Sequence, residues 1–258
     1  MDLKSISKNI RLNILRLANK SKFVGAHIAP SLSIVEILST IFCSCFDINN
    51  DKFVLSKGHA GLAYYCALKE AGIITESQLN SFEDNGGDFP GQPTKTESNN
   101  IDYASGSLGL GLSYACGLAM SKKIKNEKGK IYVLLGNGEL DEGSNYESLM
   151  FIIAHNLDNI IVIVDDNKMQ SDGNTDNILK LNLKNVMQGF GFYVLECNGH
   201  SEIEIENAIK KSFEKCSIVI ANTIKGKGVS FMENNNDWHH AILNDEQYQK
   251  AKEEVLNG

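Results

Sequence analysis

The run Ile131-Tyr-Val-Leu-Leu-Gly136-Asn137-Gly138-Glu139, taken with Ile160-Ile-Val-Ile-Val-Asp-Asp-Asn167-Lys-Met169, decides how this chain folds. Residues 131–135 and 160–164 are short apolar runs rich in strand formers, and the segment between them has helical character. Strand, helix and strand in that order make a βαβ unit. Its right-handed crossover renders the strands parallel and brings both carboxyl ends to one edge of the sheet. Asn137 and Asn167 are therefore expected side by side. Two side-chain oxygens at neighbouring strand ends, with a glycine on either side of the first, suit a hard cation carrying a diphosphate. Glycine lets a ligand approach the backbone, and a carboxamide ligates through oxygen. Two plainer readings compete. Gly136-x-Gly138 could open a dinucleotide fingerprint, but the third glycine position holds Asp141 and no Walker lysine motif follows. Residues 136–143 could also be only a turn.

Composition narrows the class. The chain has 258 residues, 42% hydrophobic and 22% charged, enough to bury a full core as one large α/β domain. A net charge of -7 and a pI near 5.4 disfavour nucleic acid or an anionic membrane as partner, since both reward basic surfaces. The six cysteines lack paired C-x-x-C spacing and mostly sit in apolar runs, so they read as buried reduced thiols of a cytoplasmic protein, with zinc disfavoured. The amino terminus carries Asp2, Lys4, Lys8 and Arg11, and no stretch reaches the ~18 apolar residues of a membrane span.

Outward from the central unit, strands and helices keep alternating. Ile6, Ile10, Ile14 and Leu17 share a helical face; residues 23–30 read as a loop holding His27; and Ser33 with Glu36 reads as a capping box opening a helix through about Phe46. Residues 53–55 form a strand candidate leading into Ser56-Lys-Gly-His59, and residues 60–71 a helix closed by Gly72. Thr75 and Gln78 make a second capping box, after which residues 85–100 form a long polar loop, the kind that is usually functional or mobile. Ser105-Gly-Ser107-Leu108-Gly109-Leu-Gly111 precedes a helix over 112–120; its glycines either permit tight helix packing or turn amides toward phosphate. A helix near 183–188, a strand at 192–195, a helix capped by Ser201 and Glu204, and a strand at 218–221 complete the pattern. The expected architecture is α/β, a doubly wound, mostly parallel sheet with helices on both faces and no internal boundary or repeat.

Several of these segments together resemble the thiamine-diphosphate-binding amino-terminal half of transketolases. The matching motifs are Val24-Gly-Ala-His27-Ile, Leu55-Ser-Lys-Gly-His59, Ser105 to Ser113, Gly136-Asn-Gly-Glu-Leu-Asp-Glu-Gly143, Asp166-Asn167, and Lys225-Gly-Lys-Gly-Val-Ser-Phe-Met-Glu-Asn234 with Trp238-His239. They fall in the family's order over nearly the whole chain. The resemblance implies a single domain over residues 1–258 with thiamine diphosphate and Mg²⁺ as cofactors. Asn137, Asn167 and the carbonyl of Met169 would ligate the metal. His59, Ser107, Leu108, Gly109, Gly136, Gly138, Glu139, Asn167 and His239 would bind the cofactor. His27, His59 and His239 would surround the reacting carbon, and His27 with Gln92 would face substrate. Glu142 resembles a glutamate at the family's dimer contact.

Two positions depart from the family pattern. Its Gly-Asp-Gly is here Gly136-Asn137-Gly138, which exchanges a carboxylate ligand for a neutral carboxamide. Its Gly-His-Pro is here Gly91-Gln92-Pro93, which replaces a histidine with a residue that hydrogen-bonds but does not titrate. The chain ends at Gly258 without the family's pyrimidine-binding domain. It therefore looks like the first subunit of a split transketolase, transferring a two-carbon unit between sugars or sugar phosphates. The C-terminal subunit carrying the pyrimidine domain would be its partner, in an α2β2 assembly. One alternative is part of a decarboxylating ligase resembling 1-deoxyxylulose-5-phosphate synthase; another is a degenerate non-catalytic subunit.

Overall fold

The computed structural model describes residues 2–21, 23–96 and 98–258. Five strands, β1 (Lys52–Leu55), β2 (Ile131–Gly136), β3 (Ile160–Asp166), β4 (Tyr193–Asn198) and β5 (Ser217–Asn222), form one sheet in the order β1-β2-β3-β5-β4. Every pairing is parallel. Within β2 and β3 every residue is buried, which explains their unbroken apolar sequence: helices cover both faces. Alternate side chains serve different layers. Tyr132, Leu134, Ile161, Ile163 and Val219 join one core cluster, while Ile131, Val133, Leu135, Ile160, Val162 and Val164 join the other.

The helices are α1 (Leu3–Lys20), α2 (Ile28–Ser33), α3 (Val35–Thr40), α4 (Gly61–Glu70), α5 (Glu76–Asn80), α6 (Gly111–Lys125), α7 (Gly143–Ala154), α8 (Thr175–Ile178), α9 (Leu183–Phe190), α10 (Glu202–Lys211) and α11 (Asp245–Asn257). The first cluster draws on α1, α3, α4, α10 and α11, and the second on α6, α7 and α9. No helix among the described residues is long and apolar enough to cross a membrane. All six cysteines are free; four are buried, whereas Cys43 and Cys45 are only half-buried.

The capping box expected at Ser33 and Glu36 does not form. The helix already starts at Ile28 with His27 as its N-cap, breaks at Ile34 (φ -110°, ψ 14°) and resumes as α3. Ser33 is the last residue of α2, and its hydroxyl donates to Asp165 Oδ1 (2.8 Å). Glu36 accepts from Arg11 and His200 instead. Both side chains are claimed by tertiary partners, which override the local motif. The box at Thr75 and Gln78 does form, with both reciprocal hydrogen bonds.

The polar loop over 85–100 includes Glu97, which lies outside the described residues. Its remainder is stapled by the buried Asn99, whose Nδ2 donates to Thr94 O (2.8 Å) and whose Oδ1 accepts from Ile101 N (3.1 Å). Helix α11 had no counterpart among the expectations. Its surface is mostly charged and only Ala251 and Val255 are buried, yet Asn244 and Gln247 form a capping box that marks its start.

Where the first strand pair begins, Gly129 adopts φ +98°, and a Cβ there would lie 2.0 Å from Asn50 O. Gly129→Ala combines left-handed strain with backbone overlap. It is expected to destabilise the fold by at least ~2 kcal/mol, seen as a lower urea midpoint with unchanged slope. An unchanged midpoint would refute this account of the turn.

Candidate active site

The carboxyl ends of β1, β2, β3 and β5 open onto a cleft of about 280 Å³. A larger cavity of about 550 Å³ is walled by Lys8, Arg11, Glu36, Glu202 and Glu254, whose charges are engaged with protein partners. The groups suited to chemistry converge on the smaller cleft. Beneath it lies Asp165, fully buried near the end of β3. Its carboxylate accepts from Ser33 Oγ, from Asn167 Nδ2 (3.0 Å), from Thr223 Oγ1 and from Lys57 Nζ. The side chains of Lys57 and Asp165 are 1% and 0% exposed, so the pair is sealed from water.

Three imidazoles from distant segments meet in this cleft. His27 stands at the N-cap of α2, His59 in the 3-10 turn Gly58–Ala60 after β1, and His239 just beyond the turn Asn236–Trp238. Their ring centroids are separated by 5.8 Å (His27 to His59), 5.4 Å (His27 to His239) and 5.3 Å (His59 to His239). An isolated antiparallel bridge, Ala26 to Ala241, joins the loops bearing His27 and His239 through two 3.0 Å hydrogen bonds.

Lys225, 2% exposed, also lines the cleft, and its amine donates to Gln170 O (3.1 Å), Asn236 Oδ1 (2.9 Å) and His239 Nδ1 (3.1 Å). With Nδ1 of His239 accepting, its ring proton is assigned to Nε2. Burial, then the charges of His240 and Lys225, lowers His27 to about 4; burial, then Lys225, lowers His239 to about 3. Burial followed by Lys57 also holds His59 well below the usual histidine range. All three rings are thus neutral near pH 7. Lys225 itself is brought to about 8 by burial and the neighbouring Lys57.

Asn137 and Asn167 follow the adjacent strands β2 and β3, where Gly136 pairs with Asp165, and both line the cleft with Met169. Asn167 Nδ2 is tied to Asp165 and to Ser33 Oγ (3.2 Å), while its Oδ1 accepts from Met169 N (3.0 Å) and retains a lone pair. Asn137 is buried, and its side-chain Nδ2 has no hydrogen-bond partner among the described residues. A buried amide donor without a partner is a costly arrangement that an acceptor oxygen on a ligand would relieve. Among the described residues no group of three His, Cys, Asp or Glu is arranged to hold a metal. A cation at this edge would instead find carboxamide and carbonyl oxygens, a set suited to a hard ion that shares phosphate oxygens.

Of the other expected cofactor and substrate residues, Gly136, Gly138, Glu139, Leu108 and Gln92 line the cleft, whereas Ser107 and Gly109 do not. A Cβ at Gly138 would come within 2.6 Å of Gln170 Cγ, so this glycine is already required by a protein side chain. The Glu139 carboxylate accepts from Gly109 N (3.0 Å), Gly136 N (3.1 Å) and Ser56 Oγ, which ties together the turns that flank the cleft. Burial nonetheless raises its carboxyl above the usual range. Glu142 is exposed as the N-cap of α7. Lys57, Asp165, Gln170 and Lys225 were not singled out by sequence reasoning. A lysine within the strand-end motif Ser56-Lys57-Gly58-His59, and an aspartate preceding Asp166-Asn167, were the available signals.

The family model described as the transketolase thiamine diphosphate binding domain matches residues 20–256. An apulose-4-phosphate transketolase subunit from Actinobacillus succinogenes is 38% identical, over 98% of this chain and 96% of its own. The 6-deoxy-6-sulfo-D-fructose transketolase subunit SqwG of a Clostridium species is 34% identical, over 99% of this chain and 98% of its own. Transketolase from Leishmania mexicana shares the fold, with a TM-score of 0.90 over 99% of this chain at 22% identity; this chain spans 41% of that longer one. Strand-end chemistry, fold and sequence thus agree that the chain belongs to the transketolase family, in the region of its thiamine diphosphate binding domain.

Proposed function

We propose that this chain is the amino-terminal subunit of a two-subunit transketolase, a single domain that holds thiamine diphosphate and Mg²⁺. The enzyme transfers a two-carbon ketol unit from a ketose, free or phosphorylated, to an aldose. The observation that carries this reading is the convergence of three neutral imidazoles with Asn137, Asn167 and Met169 in one cleft. The split into subunits is supported by relatives named as subunits that match this chain over nearly their whole length. The partner would be a chain carrying the pyrimidine-binding domain, in an α2β2 assembly.

When bound, thiamine diphosphate supplies a nucleophilic carbon and an electron sink for cleaving a carbon–carbon bond. The oxygens of Asn137, Asn167 and Met169 would hold Mg²⁺ against the diphosphate. Neutral His27 and His59 can each give a hydrogen bond to a carbonyl oxygen or accept a proton from a hydroxyl, the two tasks that opening and reforming a ketol require, while His239, whose Nδ1 takes the Lys225 amine, can give a hydrogen bond. Lys225 fixes the tautomer of His239, leaving Nε2–H as the donor. Gln92 offers hydrogen bonds without a titrating group, and would help decide which sugar fits.

The test is reconstitution. The purified chain alone is expected to show no ketol transfer, and mixing with the partner subunit to restore it. His59→Ala or His239→Ala is expected to lower kcat of the assembled enzyme by roughly 10²-fold with little change in folding. Turnover by the isolated chain would overturn the split-subunit reading. No binding of thiamine diphosphate with Mg²⁺ to the assembly would overturn the cofactor assignment.

The depressed histidines also set a pH dependence. In the unfolded chain they titrate near their ordinary value of about 6.5, while folded His27 titrates at about 4 and His239 at about 3. Between those limits the unfolded state binds more protons, so stability falls as the pH drops from about 6.5 toward 4. The His27→Asn/His239→Asn double variant is expected to lose Tm less steeply over that range, measured at constant ionic strength. Parallel Tm curves for the two proteins would show that the rings are not buried as neutral groups.

A further inference from the structure

Lys225 reaches the cleft from a turn whose backbone is held by hydrogen bonds to other segments. Gly226 N donates to Ala29 O (3.0 Å), and Asn234 N donates to Lys225 O (2.8 Å). Two further anchors are side chains from other elements. Ile224 N donates to His200 Nε2 (2.8 Å), and Arg11 Nε donates to Lys227 O (3.1 Å). These anchors grip the residue before Lys225 and the second residue after it.

Glu36 joins the two anchors. Its Oε2 accepts from Arg11 Nη2 (3.0 Å) and lies 2.9 Å from His200 Nδ1, while its other oxygen takes the second guanidinium nitrogen. Because Nε2 of His200 accepts the Ile224 amide, the ring proton is assigned to Nδ1 and is donated to Glu36. Gly228 shows how closely Arg11 is held: at φ +93°, a Cβ there would lie 2.9 Å from Arg11 Nε. Arg11, Glu36 and His200 do not line the cleft. They come from α1, α3 and the turn after β4, and meet only in the folded chain.

The geometry points to Arg11, Glu36 and His200 as a mount that positions Lys225, and through it His239, for the reaction. His200 is the most specific member, a positioning residue that sets the backbone one residue before Lys225. Displacing the Ile224 amide shifts the Lys225 amine relative to its three acceptors, and His239 Nδ1 is one of them. The pocket-facing His239 ring then loses its fixed tautomer although no residue in the cleft has changed. The catalytic consequence rests on the proposed transketolase function; the structural coupling from His200 to His239 does not.

Two variants separate this from a purely structural role. His200→Leu keeps bulk but loses both polar contacts, and His200→Gln offers a carboxamide with one acceptor and one donor for Ile224 and Glu36. In the full chain labelled with ¹⁵N-histidine, the His239 ring signals, assigned with His239→Gln, are expected to move in His200→Leu and to stay near wild type in His200→Gln. In the assembled enzyme at saturating cofactor, kcat is expected to fall about 10-fold in His200→Leu and to recover in His200→Gln, since small misplacements of reacting groups carry losses of this order. Unmoved His239 signals in a folded His200→Leu chain overturn the proposal. If the leucine variant does not fold, Arg11→Lys, which keeps a charge for Glu36 but gives up the geometry of the contact to Lys227 O, provides the same comparison with the same two outcomes. Absence of ketol transfer in the wild-type assembly would defeat the proposed function and leave the ring signals to decide the coupling.

Discussion

The carboxylate of Asp165 is the constraint on which the site depends. A lone charge buried at the end of β3 would be prohibitively costly, and this one is matched by Lys57 and by donors from Ser33, Asn167 and Thr223. Those groups come from α2, from the turn after β1, from the end of β3 itself and from the segment after β5. One carboxylate therefore sets the distances among four pieces of chain that each carry a site residue. Removing a single partner of a buried ion pair typically costs about 3–5 kcal/mol, because the other charge is stranded. The arrangement also orients the carboxamide of Asn167. With Asn167 Nδ2 held by Asp165, its Oδ1 is fixed in the direction of Met169.

Electrostatics at the cleft follow from the same pairing. Lys57 is neutralised by Asp165, whereas among the described residues the hydrogen-bond partners of Lys225 are neutral, Gln170 O, Asn236 Oδ1 and His239 Nδ1. A buried ammonium with neutral partners favours an anion nearby. The two amines also keep the adjacent imidazoles uncharged, since each depressed histidine feels one or both of them after burial. Neutral rings beside a cation can exchange protons with a substrate without repelling the charge that holds the ligand.

The fold was legible wherever hydrophobic patterning was strong. The runs at 131–135 and 160–164 became β2 and β3, paired in parallel, and the turn residues after them reached the same edge. Reading failed where a local motif competed with tertiary demand. Ser33 and Glu36 have capping-box spacing, but Asp165, Arg11 and His200 claim them. Helix α11 was hidden because only two of its residues are buried. In the site, Asn137 and Asn167 stood out as carboxamides at neighbouring strand ends, whereas the histidines were singled out only by the resemblance of the motifs around them. Lys57 and Asp165 did not, because their importance lies in a contact across 108 residues that no local pattern encodes.

The substitution at position 137 gains meaning from this charge balance. Asp166 is paired with Lys168 as Asp165 is with Lys57, so neither aspartate before Asn167 offers an uncompensated charge. The oxygens left at the strand ends, from Asn137, Asn167 and Met169, are neutral. On the proposed reading, the charge that holds Mg²⁺ there must come from the diphosphate, which already supplies part of the coordination of a hard ion. Lys225 adds to that requirement by favouring the anion and opposing a bare cation. On that reading, a carboxamide in place of a carboxylate would keep an oxygen at the proposed ligand position while making metal binding depend more heavily on the cofactor that accompanies it.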